Sequence, residues 1–305
     1  MGINKIQIGV ATGRFTLPVV TIVGLLLWLV NLDSWQDLGT LAIVLFTCYL
    51  MIEINTTFSL IRTRTTLHIC SYWLWISIFI FLHPFEWECS GAVAFMSAVV
   101  YLFKSYESSN TSTSLFNVSF FITSGSLLFP KLIYFLPLFI LSTIGIRSLN
   151  IKSLIAFLLG CLTPYWLLFG YAFFYDQMEI FYTPLKESFT FHTVDYTSLP
   201  NHVIISWLAI TLLQLVCSIH FSKASYQDKT RTRIFLTFLT IAGWWTTVFI
   251  AVQPQLIYPL LFIQLICTSF LTAHLFTLTR NRFSGIGFIV NIISLIVLTC
   301  YNLWM

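Results

Sequence analysis

Charge is what this chain of 305 residues has least of. Asp, Glu, Lys and Arg together make up 9% of it, against about 25% in soluble domains. That excludes a soluble globular enzyme, a disordered tail and a charged coiled coil. The seven cysteines show no CxxC spacing and no pairing framework, so a disulfide scaffold and a thiolate metal site are excluded too. Six of them lie in apolar runs, where Cys acts as a small filler. No P-loop, Rossmann fingerprint or nucleophile motif occurs, and nothing points to a cofactor, a metal or nucleic acid.

What is present is apolar. Hydrophobic residues make up 58% of the chain, with 30 Phe and 10 Trp. A helix needs about 20 apolar residues to cross roughly 30 Å of hydrocarbon. About eleven segments approach this: 15–32, 38–53, 66–83, 90–104, 114–129, 131–147, 152–175, 201–222, 233–252, 257–279 and 283–304. The fourth and fifth are the shortest, and the fifth and sixth meet at Phe129-Pro130-Lys131. The expected fold is an all-α polytopic bundle forming a single transmembrane domain over residues 1–305. Its first segment follows Lys5 and Arg14 without a small-x-small cleavage site, so it reads as an uncleaved helix.

The 15 Lys and Arg are sorted. With eleven spans and the N-terminus in the cytoplasm, all but Lys131 and Lys186 fall inside. Most acidic residues fall outside: Asp33, Asp37, Glu86, Glu88, Asp176, Glu179, Glu187 and Asp195. The positive-inside rule then gives an N-in, C-out orientation. The longest outer stretch, residues 176–200, mixes aromatics with charge and reads as a segment lying in the interface.

Four constellations bear on function. The outer carboxylates Asp33, Asp37, Glu86 and Glu88 can deprotonate a sugar hydroxyl, and Trp87 offers a face on which a sugar stacks. Their plain reading is that acids populate loops lacking Lys and Arg. Arg-x-Arg recurs on the inner side as Arg62/Arg64, Arg231/Arg233 and Arg280/Arg282. Arg forks at helix starts suit an anionic lipid or a polyprenyl phosphate, although ordinary positive-inside anchoring is the stronger reading of them. No Asp, Glu, Lys or Arg falls at mid-span, which argues against an ion-coupled pump. Gln214 and Gln264 there read as interhelical hydrogen-bond partners. Last, Gly160 and Pro164 break the seventh span beside Tyr165 and Trp166, where a kink can open a lipid-facing groove or be routine. His83 with Glu86, and His192 with Asp195, have loop-ligand spacing without matching a metal motif.

The stretches Asn55–Thr65, Ser126–Pro137 and Gly160–Trp166 resemble an uncharacterised family of multi-pass inner-membrane proteins of Bacteroidota. That resemblance implies location and topology but no catalytic residues. More distantly, the chain is similar to polytopic glycosyltransferases and glycan polymerases that use polyprenyl-linked sugars. It departs from them in its short Asn31–Asp37 loop and in outer loops without arginine. The expected role is envelope glycan or glycolipid assembly. The alternatives are a non-catalytic scaffold bound to a membrane-protein partner, or a facilitator for lipids or small solutes.

Overall fold

The computed structural model describes residues 2–32, 34–191, 193–197, 199–279 and 282–304, with the backbone alone at 2–6, 282 and 283. Every regular element among them is helical. In chain order these are α1 (Gly2–Thr12), α2 (Thr16–Val30), α3 (Asp37–Phe58), α4 (Leu67–Ile78), α5 (Ser90–Lys104), α6 (Thr111–Ser126), α7 (Leu136–Gly145), α8 (Ile151–Phe174), α9 (Met178–Phe189), α10 (Asn201–Ala224), α11 (Thr230–Val252), α12 (Ile257–Leu278) and α13 (Arg282–Trp304).

Six of these, α3, α8, α10, α11, α12 and α13, are long and apolar enough to cross a membrane. Three shorter apolar stretches are Thr16–Val30, Leu67–Ile78 and Pro130–Gly145. The remaining expected spans form α5 and α6, of 15 and 16 residues. At 1.5 Å per residue these fall short of a full hydrocarbon layer. Six candidate spans therefore stand where the apolar runs suggest eleven. Apolar content measures burial, and in this chain part of it is burial in protein.

The chain divides into two compact units. One combines residues 1–85 with 194–305, and the other is residues 86–193. In the first, α12 is the core. From Pro259 to Phe276 every residue is buried. A helix apolar on all sides belongs inside a bundle, and α4, α10 and α11 surround this one. At mid-helix Gln264 Nε2 donates to Thr247 Oγ1 at 3.0 Å and to Gln214 Oε1 at 3.1 Å. Thr268 Oγ1 lies 3.2 Å from the same Gln214 oxygen. The two glutamines thus tie α10, α11 and α12 together, as their mid-span positions suggest. Gly243 makes room for this knot, since a Cβ there would lie 2.9 Å from Gln214 Nε2. On α1, Gln7 Nε2 reaches the carbonyls of Phe276 and Thr279 at 2.8 and 3.0 Å and Ser284 Oγ at 2.9 Å. It satisfies carbonyls that the end of α12 leaves open.

In the second unit α6 lies against α8. A Cβ on Gly160 would fall 2.2 Å from Ser119 Oγ and 2.4 Å from the Phe116 carbonyl oxygen. Small residues permit this approach, the usual device of helix pairs in lipid. Asn150 caps α8: its Oδ1 accepts from Ser153 N at 2.7 Å, while Ser153 Oγ accepts from Asn150 N at 2.8 Å. The segment 176–200 contains α9, whose C-terminal end is held within this unit.

Candidate functional sites

In the second unit, Glu86 is extended (φ −128°, ψ 137°) and leads into a 3-10 turn over Trp87–Cys89. Ser90 Oγ donates to the Trp87 carbonyl at 2.6 Å and steadies that turn. The indole of Trp87 is 67% exposed. Glu88 is half-buried, and its carboxyl is raised above the usual carboxylate range. Burial is the main cause, and the nearby charges of Glu86 and Glu187 push the same way. Desolvation and like charge both disfavour the ionised form. The turn therefore presents an exposed aromatic face beside a carboxyl that retains its proton to higher pH.

Glu187 is a member of this cluster that the sequence analysis did not single out, and Lys131 is its counterpart. Lys131 is buried. Its Nζ donates to the carbonyls of Ser188, at 3.2 Å, and Thr190. It also lies 4.4 Å from the centroid of the Phe191 ring. Tyr134 Oη donates to the Ser188 carbonyl at 3.0 Å. A cation on the open carbonyls at the end of α9 is favoured by the helix dipole. The signal was the position of Lys131, one of two basic residues among the expected outer loops.

Asp33 lies outside the described residues. Asp37 is buried in the first unit, where Ser34 N and Ser34 Oγ each donate to its carboxylate at 2.9 Å. An acid at the first turn of α3 also suits the helix dipole. Pro164 is buried, and Tyr165 Oη lies 2.9 Å from Ser126 Oγ on α6. Pro164 has no N–H for the Gly160 carbonyl, and Thr123 Oγ1 approaches that oxygen at 3.3 Å while bonding its own helix at 2.7 Å. Trp166 is 73% exposed.

The first unit holds a polar cavity of about 680 Å³ between the end of α3 and the start of α4. Arg62, Arg64, Thr63, Thr65, Asn55 and Ser59 contribute to its wall. Arg62 also has an internal partner. Its Nε and Nη2 donate to Asp228 Oδ1 at 3.1 and 2.8 Å. The other carboxylate oxygen meets His274 Nε2 at 2.8 Å. Asp228 and His274 each expose 1% of their side chains, while Arg62 exposes 45%. Asp228 and His274 stand 46 positions apart in sequence, and that separation hid their pairing. Of the other arginines, Arg231 lies over the rings of Phe58 and Phe235 at 5.2 and 5.5 Å. Arg233 is exposed. Arg280 and the side chain of Arg282 lie outside the described residues.

His83 has no metal-site geometry. It is buried, stacked 3.8 Å from the Trp28 ring centroid, with Nε2 3.3 Å from the Ile76 carbonyl. Among the described residues no three His, Cys, Asp or Glu side chains converge on a metal position. His192 lies outside them.

Long apolar helices around a fully buried central helix, with polar groups knotted inside, define a helical membrane protein. A family model matches residues 14–304, and the chain belongs to that family of unknown function, DUF6427. No curated protein and no solved structure matches it.

Proposed function

We propose that this is an inner-membrane protein of envelope glycan or glycolipid assembly, with its N-terminus cytoplasmic and its C-terminus periplasmic. In this reading a lipid-linked sugar stacks on Trp87; as the bond from its C1 to the diphosphate oxygen breaks, Glu88 gives its proton to that oxygen, while the hydroxyl of an acceptor or of water bonds C1 and releases its own proton. Burial, with the charges of Glu86 and Glu187 acting the same way, lets Glu88 keep its proton to higher pH than an ordinary carboxyl. The observation that carries the reading is the exposed Trp87 between two acids, one of them half-buried and raised. Matching a general acid to the working pH is how carboxyl groups serve sugar chemistry. The polar cavity at Arg64 suits the phosphate of an anionic lipid.

The test uses purified protein in lipid nanodiscs with a short-chain polyprenyl-diphosphate sugar, and mass spectrometry follows sugar release or transfer. Glu88→Gln should lower turnover by about 100-fold, the usual weight of one acid–base group. Trp87→Ala should raise KM with little change in kcat. Turnover by Glu88→Gln at the wild-type rate would contradict the reading.

A further inference from the structure

The polar cavity of the first unit has a pattern of charge and a pattern of hydroxyls, and they suit different parts of one ligand. Its wall is built from the end of α1, the last turn of α3 and the loop that runs into α4. No Asp or Glu is among the described residues that line it. Arg64 is exposed and has no hydrogen-bond or ion-pair partner among the described residues. Arg62 is already neutralised, because its Nε and Nη2 are on Asp228, and its Nη1 is left free to donate. The net positive charge of the cavity therefore rests on Arg64. A guanidinium with open edges favours phosphate, which accepts two parallel N–H···O bonds from it.

The hydroxyls ask for something else. Thr12 and Thr56 are exposed on the wall. Each donates its proton to a carbonyl of its own helix: Thr12 Oγ1 to Ile8 at 2.8 Å, and Thr56 Oγ1 to Ile52 at 2.9 Å. A hydroxyl whose proton is engaged offers only lone pairs. Ionised phosphate oxygens also offer only lone pairs, so they have nothing to donate to Thr12 or Thr56. A ligand that matches both patterns carries O–H donors beside its phosphate. The volume agrees. At about 680 Å³ the cavity falls in the range of about 300–1,000 Å³ that encloses whole small molecules. Ile61 is the one large apolar residue on the wall among the described residues, and it is 4% exposed. Little of the wall therefore suits an acyl chain.

We propose that this cavity binds a phosphate ester with a hydroxylated body, either a soluble sugar phosphate or the polyol-phosphate headgroup of a lipid. Arg64 anchors the phosphate and Arg62 adds Nη1. Thr12 and Thr56 accept from hydroxyls of the body. The inference rests on reading this cavity as a phosphate site, and it is independent of proton transfer at Glu88.

The test is calorimetric titration of the full-length protein in dodecyl maltoside at low salt. The probes are glucose 1-phosphate, dihexanoyl-phosphatidylglycerol and inorganic phosphate. At least one ester should bind about tenfold more tightly than inorganic phosphate, the weight of one or two added hydrogen bonds. If glucose 1-phosphate is the tighter ester the source is soluble, and if phosphatidylglycerol is tighter it is a headgroup. Arg64→Gln should weaken ester binding about tenfold or more. Its unfolding temperature should not change, because the side chain is exposed and unpaired. Arg62→Gln should weaken binding less, since Asp228 already offsets that charge. Thr56→Val, which keeps the shape and removes the hydroxyl, should weaken the ester and leave inorganic phosphate unchanged. Arg233→Gln, exposed on α11 and outside the wall, should bind as wild type does. Absence of binding by every probe would overturn the phosphate reading together with this inference. Equal affinity for inorganic phosphate and both esters would overturn the hydroxylated body alone. Undiminished ester binding by Arg64→Gln, or an equal loss in Arg233→Gln, would overturn the site.

Discussion

Asp228 accepts a hydrogen bond from His274 Nε2 at 2.8 Å, and each side chain is 99% removed from solvent. The other oxygen of Asp228 is held by Arg62. This triad fastens the loop before α11 to the buried helix α12 and to the loop before α4. A carboxylate in such surroundings is tolerable only while its partners remain, because burial penalises an unpaired charge. Asp228→Ala removes the acceptor and leaves His274 and Arg62 facing one another without it. The expected destabilisation is about 3–5 kcal/mol. Arg62 is half-exposed, so water replaces much of what Arg62→Gln removes, and that change should cost only about 1 kcal/mol. Reversible unfolding in mixed micelles gives both values. Equal losses for the two variants would show that Asp228 is not the hub.

Gly160 sets the distance between α6 and α8. Gly160→Ala places a methyl group 2.4 Å from the Phe116 carbonyl oxygen, and that backbone atom has little freedom to retreat. The helices must separate, at an expected cost of about 1–3 kcal/mol for overpacking. Gly170, on the same helix, has nothing within 4 Å of a built Cβ. Gly170→Ala should be neutral or slightly stabilising by propensity. The pair of unfolding curves checks the contrast.

Gln264 offers a third test. Gln264→Leu removes the donors that reach Thr247 and Gln214 and leaves Gln214 Oε1 dependent on Thr268. Interhelical hydrogen bonds in bundles of this type average about 0.6 kcal/mol each, so a loss of about 1–2 kcal/mol is expected. If Gln264→Leu raised stability, apolar packing rather than the polar knot would hold these helices together.

Glu88 makes stability depend on pH in a defined sense. Its folded pKa is raised, chiefly by burial. Below the ordinary carboxylate pKa it is protonated in both folded and unfolded chains, and its contribution is fully retained. As pH rises from there through the raised folded value, the unfolded chain ionises first and stability falls. Glu88→Gln should remove that part of the pH profile. A titration of unfolding temperature for both proteins measures it, and identical slopes would contradict the burial of this carboxyl.

Orientation has its own experiment. A reporter fused after Ser109 should give a cytoplasmic signal, and one fused after Trp304 a periplasmic signal. The reverse pair would invert the assignment drawn from Lys and Arg.

Much of the fold was legible in sequence, and the reasons differ from element to element. Apolar runs located α3, α8 and α10 through α13, because lipid requires length and apolarity together. The same rule also pointed to α2, α4, α5, α6 and α7, which are apolar but shorter than the six long helices. A side chain such as Phe95 or Trp75 is equally apolar whether protein or lipid surrounds it, and hydropathy does not separate the two. Gln214 and Gln264 were legible as a pair because a mid-span amide needs a partner. The Asp228–His274 contact was not, since only the third dimension unites a loop with the end of a distant helix. Glu86, Trp87 and Glu88 were found as neighbours in sequence. Glu187 was hidden because α9 had to fold before its charge could approach theirs. That Asp37 holds Ser34 was not legible, because such a local hydrogen-bond geometry leaves no mark in composition.

The proposed role in envelope glycan assembly has a direct consequence in the cell. The direct measurement is a mass-spectrometric profile of envelope glycolipids and isoprenoid-linked intermediates in cells with and without the gene. One lipid-linked intermediate should accumulate in the deletion strain, cleared by the wild-type gene and not by Glu88→Gln. An unchanged profile would contradict it.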